Sequence, residues 1–115
     1  MEDKDIGTKP VSDWQPITNK CDLAMLGKLI EELNECAGIA ARCIIQGFEE
    51  QEPVTKKYNR KAMEDEIADV HALIDSVIMR FDLDMNRIDE RRQEKFDWKA
   101  PWFEKLAEQD TDENV

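Results

Sequence analysis

Two short acidic motifs have the residue types and the spacing that a metal-dependent reaction would need. They are Glu31-Glu32-Leu33-Asn34-Glu35 and Glu66-Ile67-Ala68-Asp69-Val70. A helix turns about 100° per residue, so Glu32 and Glu35 share one helical face, and Glu66 and Asp69 share another. Carboxylate oxygens without histidine or cysteine partners are the ligands that magnesium and manganese prefer. The pattern therefore indicates divalent-cation chemistry.

The helical faces that carry these acids are otherwise apolar. Within about 60° of Glu32 around the helix lie Met25, Leu29, Cys36, Ile39 and Cys43. Within the same angle of Glu66 lie Met63, Val70, Leu73, Val77 and Phe81. Glu35 and Asp69 fall at the margins of these two apolar stripes.

An ionised carboxylate in an apolar interior costs several kcal/mol unless an opposite charge is close to it. The basic residues nearest the stripes are Lys28 and Arg80, which we expect to lie roughly a turn or more from the acids. We therefore predict that Mg²⁺, for which Mn²⁺ is a possible substitute, neutralises the four carboxylates.

Two long helices must position these acids. Asn19 or Asp22 can cap a first helix over about residues 22–46, and Gly47 is a natural stop. Asn59 can cap a second helix that runs to about Asp82. Residues 47–58 lack periodicity and predict a connecting loop that is either functional or mobile. An antiparallel pairing of the two helices would bring the four carboxylates together.

Three cations, Lys56, Lys57 and Arg60, stand near the end of this loop. Charged side chains at the end of a loop are usually just exposed to solvent, but these three could also contact phosphates. The sequence leaves both interpretations open.

The rest of the chain sets the predicted domain organisation. We expect a flexible N-terminal arm over residues 1–17, a helical domain over 18–108 and an acidic tail over 109–115. Asp84 can cap a third helix over about residues 85–97. Pro101 is expected to break the chain before a short helical piece over about 102–108.

The predicted fold class is all-α. A charged fraction of 37% with only four glycines and four prolines favours helices. Three helices of this length cannot enclose both apolar stripes alone. We therefore expect an antiparallel hairpin of long helices with shorter C-terminal helices, and a four-helix bundle core completed in a homodimer or homotetramer.

The charge balance limits the partners. With 27 acidic against 16 basic residues the net charge is −11, which argues against binding to nucleic acid or to an anionic membrane. No apolar run reaches the length needed to cross a bilayer, and the first residues lack the features of a signal peptide. A cytoplasmic location is expected.

The two motifs together resemble those of the MazG-like family of all-α nucleoside triphosphate pyrophosphohydrolases, which includes the dimeric dUTPases. The resemblance covers about residues 22–98 and implies Glu32, Glu35, Glu66 and Asp69 as magnesium ligands. It also implies cleavage of a (d)NTP substrate between the α and β phosphates, which yields a nucleoside monophosphate and pyrophosphate. Glu31 points about 100° away from Glu32 and could serve a second ion or orient the attacking water.

The resemblance extends loosely to basic and amide side chains after the second motif. It implies phosphate contacts from Asn86, Arg91, Arg92 and Lys95. On an amphipathic helix such charges more often form a solvated face or local ion pairs.

Aromatic side chains leave two interpretations open as well. Trp14 either packs the arm onto the helices or offers a stacking face to a nucleobase. Trp98, Trp102 and Phe103 are more simply apolar cover, although one of them could line a base pocket.

A different class of function is a non-catalytic acidic helical module that binds a basic partner. The net charge suits this alternative. The predicted inward direction of the four acids favours the enzyme, because a module that acts through its charge needs that charge exposed.

Overall fold

A computed structural model of the chain describes residues 13–113, with side chains described to residue 110. This part of the chain is all-helical and contains no strand. Its helices are α1 (Lys20–Gln46), α2 (Asn59–Arg80) and α3 (Met85–Glu113). The all-α prediction is confirmed. Most of the predicted N-terminal arm, residues 1–12, and the last two residues of the predicted tail lie outside the described residues.

The chain divides into two compact units. The first extends to Val77 and holds α1, the connecting segment and most of α2, whereas the second begins at Ile78 and holds the end of α2 and all of α3. Both acidic motifs belong to the first unit. None of the helices described is long and apolar enough to cross a bilayer.

Helix α1 begins and ends where the sequence predicts. The Asn19 side chain accepts a hydrogen bond from the backbone N–H of Asp22 at 3.0 Å, which is the geometry of an N-cap. Gly47 ends the helix with φ of 86°, a conformation that glycine adopts without steric cost, and its N–H donates to the Cys43 carbonyl at 2.8 Å. Both cap predictions are confirmed.

The apolar stripes that surround the acids are covered in the first unit. Around Glu32 the half-buried side chains are Met25, Leu29, Cys36, Ile39 and Cys43. On α2, Val70 and Val77 are buried, and Met63 and Leu73 are half-buried. Glu32 itself is buried between them. The predicted inward faces of the two helices are therefore confirmed for the first unit.

The connecting segment, residues 47–58, is held by its own hydrogen bonds. The Glu52 N–H donates to the Lys57 carbonyl at 2.9 Å, and the Lys56 N–H donates to the Glu52 carbonyl at 2.8 Å. Backbone and side-chain hydrogen bonds from Thr55, followed by one from the Val54 backbone, hold the pKa of Glu52 below its usual value. Lys56 adopts φ of 64°, which reverses the chain just before Lys57.

Asn59 has a different role from the one that its sequence position indicates. It is the first residue of α2, is fully buried, and uses its side chain to bind the end of α1. Its Oδ1 accepts from Arg42 Nε at 2.9 Å, and its Nδ2 donates to Gln46 Oε1 at 3.1 Å and to the Gly47 carbonyl at 2.9 Å. The side chain therefore ties the two helices together, and the predicted N-cap role is wrong.

In the second unit the predicted break at Pro101 is also wrong. Asp84 accepts from the Arg87 N–H at 3.1 Å, as expected of a cap. The helix that follows then continues through Pro101 to Glu113, so it includes residues 109–113 of the predicted tail. With 29 residues α3 is longer than α1 and α2, so the prediction of shorter C-terminal helices is wrong. An interior proline costs about 3 kcal/mol in a helix, and α3 continues on both sides of Pro101 despite that cost.

The Asn59 contacts predict a large loss of stability on truncation. Asn59→Ala should lower the free energy of unfolding by about 2–3 kcal/mol, because it leaves Arg42 Nε and the Gly47 carbonyl without partners. Urea unfolding followed by circular dichroism measures this change. The control Asn86→Ala, at an exposed position of α3, should stay within about 0.5 kcal/mol of the wild type. Equal stability of the two variants would contradict the assignment.

Candidate metal centre

Three predicted ligands meet where α1 faces α2. Glu32 from α1 and Glu66 and Asp69 from α2 each offer a carboxylate oxygen, and these oxygens lie within 4.8 Å of one another. Oxygens on opposite sides of one magnesium ion are about 4.2 Å apart, since each bond is about 2.1 Å long. The observed spacing is close enough that small side-chain rotations would complete a ligand set.

A second cluster shares Glu32 with the first. Glu31, Glu32 and Glu35 also place carboxylate oxygens within 4.8 Å of one another. Glu32 is buried and Glu66 is half-buried, whereas Glu35 and Asp69 are exposed. This gradient matches the prediction that Glu35 and Asp69 lie at the stripe margins. All five predicted catalytic residues thus belong to two clusters that are joined at Glu32.

Two oxygens at the centre of these clusters lack donors. Among the side chains that the structure describes, the buried oxygens without a hydrogen-bond partner are Glu32 Oε2 and Glu66 Oε2. A buried acceptor left unsatisfied costs about 1–3 kcal/mol, and more if it is charged. A divalent cation would satisfy both oxygens at once. Because the donor set is made entirely of carboxylates, it fits Mg²⁺ or Mn²⁺ rather than zinc.

The electrostatics of Glu66 reflect the same crowding. Burial away from water raises the pKa of Glu66 above its usual value of 4.5, and the neighbouring charges of Glu35, Glu32 and Asp69 raise it further. The cation-free cluster therefore resists full ionisation.

Lys28 lies closer to the acids than the sequence indicated. Its Nζ is 2.9 Å from Glu31 Oε1 and 3.3 Å from Glu32 Oε1. Hydrogen bonds to Glu31 and Glu32 raise the pKa of Lys28. The expectation that Lys28 is too distant to pair is wrong, because a flexible lysine stem spans one helical turn. The i,i+4 spacing to Glu32 is the signal that could have identified it.

An open cleft of about 410 Å³ lies beside the first cluster. It is lined by Lys28, Glu32, Asp69, Ala72, Leu73 and Ser76. One part of its wall is charged and the other is made of small or apolar side chains. The cleft therefore leaves open space beside two carboxylates of the first cluster, Glu32 and Asp69.

The predicted phosphate-binding residues lie in the second unit. They are exposed side chains of α3, namely Asn86, Arg91, Arg92 and Lys95. Arg91 lies 4.0 Å from Glu94, and Arg92 lies 3.4 Å from Asp89. Both are local i,i+3 ion pairs, the alternative to phosphate contacts that the sequence left open.

The aromatic candidates are exposed. Trp14 precedes α1 in the first unit, and its side chain is 73% exposed. In the second unit Trp102 and Phe103 meet edge to face with ring centroids 4.9 Å apart, and Lys95 Nζ lies 5.5 Å from the centre of the Trp98 ring. Among the described residues, no aromatic ring packs against Trp14.

Removal of Lys28 should favour the metal. Lys28→Gln removes the cation that now pairs with Glu31 and Glu32, so we expect Mg²⁺ or Mn²⁺ affinity to rise roughly 2- to 5-fold. Isothermal titration calorimetry measures the affinity directly. Lys20→Gln removes the same charge from the first turn of α1 and should leave the affinity unchanged. Weaker binding by Lys28→Gln would show that the lysine is not a competitor.

The raised pKa of Glu66 predicts a pH-dependent stability. The native state holds this proton more tightly than the unfolded chain, so the stabilising contribution is complete below pH 4.5 and is lost as the pH rises through the native pKa. In EDTA, Glu66→Gln should therefore melt at a higher temperature than the wild type at pH 7, and the two should converge near pH 4.5. Differential scanning fluorimetry across this range tests the sign.

The matched control for this pH series is Glu64→Gln, which changes an exposed carboxylate on the same helix. Its melting curve should run parallel to that of the wild type. Parallel curves for Glu66→Gln would instead mean that the cluster does not strain the native state.

Comparison with known proteins adds no information on the function of this site. No protein-family model, no curated protein and no solved structure matches the chain. The resemblance to the MazG-like family stays a prediction from the two acidic motifs and their helical setting.

Proposed function

We propose that this protein is a magnesium-dependent nucleoside triphosphate pyrophosphohydrolase, which cleaves (d)NTPs between the α and β phosphates to a nucleoside monophosphate and pyrophosphate. One observation carries the proposal: Glu32, Glu66 and Asp69 converge from two helices, and two of their buried oxygens have no donor. This is the chemistry expected of a cation site. The same residues are the ligands that the MazG-like resemblance implies.

The carboxylates divide naturally between two ion positions. Glu32, Glu66 and Asp69 would hold one ion, and Glu31 and Glu35 would join Glu32 around a second. Bound magnesium would neutralise the triphosphate, polarise the phosphorus under attack and lower the pKa of a bound water. If only one ion binds, Glu31 would orient the attacking water instead.

The clusters themselves contain no cysteine or histidine. Attack by water at the α-phosphorus forms one P–O bond and breaks the bond to the bridging oxygen, which leaves with pyrophosphate. The chain then has to hold and orient the reactants rather than form a covalent intermediate. A rigid pair of helices suits this task.

The proposal includes an antiparallel hairpin of α1 and α2. The two helices contact each other at Arg42 and Asn59, next to the connecting segment, and again at Glu32 and Glu66. The second contact lies further from the connection on both helices. This order of contacts is the one that an antiparallel pair produces.

A second copy of the chain would complete the bundle. The first unit carries large apolar side chains outside the two stripes that are exposed in the single chain: Ile30, Leu33, Ile44, Ile67 and Ile74. On α1 the first three recur with helical periodicity, so they form a face of their own. Apolar faces of this kind favour a homodimer or homotetramer built around a four-helix core.

The alternative of an acidic module that binds a basic partner is favoured by the net charge of −11. A basic partner binds charges that are exposed, however, and the buried Glu32 is not accessible to such a partner. Saturable thermal stabilisation by Mg²⁺ separates the two functions, because a charge module responds only to ionic strength. The expected cytoplasmic location suits an enzyme of the nucleotide pool.

A hydrolysis assay tests the enzyme directly. A panel of common and modified nucleoside triphosphates with Mg²⁺ should yield pyrophosphate, and Glu32→Gln or Asp69→Asn should lower turnover by at least about 100-fold through loss of a ligand. Both variants should keep the melting temperature of the cation-free protein or exceed it. Asp75→Asn, at an exposed position of α2, is the matched control and should retain full turnover. Hydrolysis retained by purified Asp69→Asn would refute the ligand assignment.

A further inference from the structure

The acidic centre has a second cation beside it, supplied by the connecting segment. Lys57 Nζ lies 2.8 Å from Asp65 Oδ2, and Asp65 immediately precedes the candidate ligand Glu66 on α2. The hydrogen bond to Asp65 is the largest contribution that raises the pKa of Lys57, and the charges of Glu66 and Asp69 contribute as well. Lys57 therefore stays protonated within the electrostatic reach of two candidate ligands.

The backbone at Lys57 is fixed, whereas its side chain is not enclosed. Its N–H donates to Thr55 Oγ1 at 3.3 Å, and its carbonyl accepts from the Glu52 N–H at 2.9 Å. The next residue, Tyr58, pairs with Gln51 in an isolated β-bridge. The Lys57 side chain is 43% exposed. A lysine anchored in this way can change partners without movement of the segment that carries it.

Arg60, a nearby cation in the first turn of α2, has contacts of a different kind. Its Nε lies 2.6 Å from Glu49, and its guanidinium lies 5.0 Å from the centre of the Phe48 ring. Both partners belong to the connecting segment itself. Arg60 therefore stabilises the segment, whereas Lys57 faces the acids of α2.

We propose that Lys57 is a phosphate-binding residue of the same site, and that it exchanges Asp65 for the phosphate oxygens of a metal-bound triphosphate. The inference rests on the proposed function, because it needs a polyphosphate at the acidic cluster. Carboxylates hold a polyanion only through cations, and they repel those of its charges that the metal does not cover. A lysine at the edge of the cluster offsets that repulsion with a flexible point charge.

Binding of a non-hydrolysable triphosphate analogue tests the role without relying on turnover. Titration calorimetry with an α,β-methylene nucleoside triphosphate and Mg²⁺ should give about 10-fold weaker binding for Lys57→Gln than for the wild type. Lys57→Arg should keep most of the affinity. Lys56→Gln removes the same charge from the adjacent residue and should bind within about 2-fold of the wild type. Lys56 has a positive φ, but lysine and glutamine are equally strained in that conformation, so the substitution changes only the charge.

The exchange of partners is tested by a double-mutant cycle. Asp65→Asn should tighten binding of the analogue in the wild-type background, because Lys57 no longer has a competing partner, and this gain should shrink in the Lys57→Gln background. A purely structural ion pair would change the melting temperatures and leave the affinities unmoved. That result would overturn the inference.

The outcomes for the inference and for the proposed function are separable. If the wild type binds the analogue and releases pyrophosphate from triphosphates while Lys57→Gln binds equally well, the inference alone is overturned. If the wild type neither binds the analogue nor hydrolyses any triphosphate, the proposed function fails, and the inference fails with it.

Discussion

The first unit depends on carboxylates held together inside an apolar contact. The stripes of α1 and α2 pack because their apolar side chains leave water, and that packing also brings Glu32 against Glu66. Each of these carboxylates retains a buried oxygen without a donor. The hydrophobic contact thus imposes a repulsion that Lys28, 3.3 Å from Glu32 Oε1, relieves only in part. Such local cost is typical of sites where a ligand supplies the missing interaction.

Two lysines of the first unit lie at the edge of the carboxylate cluster rather than at its centre. Lys28 reaches Glu31 and Glu32 from the same helix, and Lys57 reaches Asp65 from the connecting segment. Both lysines are partly exposed, so their charges are screened by water. In the proposed function, a compact divalent ion would occupy the space between the central carboxylates. In the function we propose, metal and lysines would share the charge of a bound triphosphate.

Much of this arrangement could be predicted from the residue pattern, because it follows from helical periodicity. The 100° turn per residue places Glu32 and Glu66 within apolar stripes and Asp69 at a margin, and the burial found agrees. The Asn19 cap and the Gly47 stop depend on local backbone chemistry and were equally predictable. The continuation of α3 through Pro101 was not, because a local rule for proline was outweighed by the helix on either side of it.

The sequence by itself determined the helices, the faces that carry the acids and the all-α class, since each of these depends on residues at most a few turns apart. Only the tertiary structure decided the relative depth of the two motifs. That depth is set by buried Asn59, which binds Arg42 and the Gly47 carbonyl and so fixes where α2 begins against α1. It also decided which lysines reach the acids. Contacts of this kind join residues distant in sequence, and no periodicity encodes the distance between them.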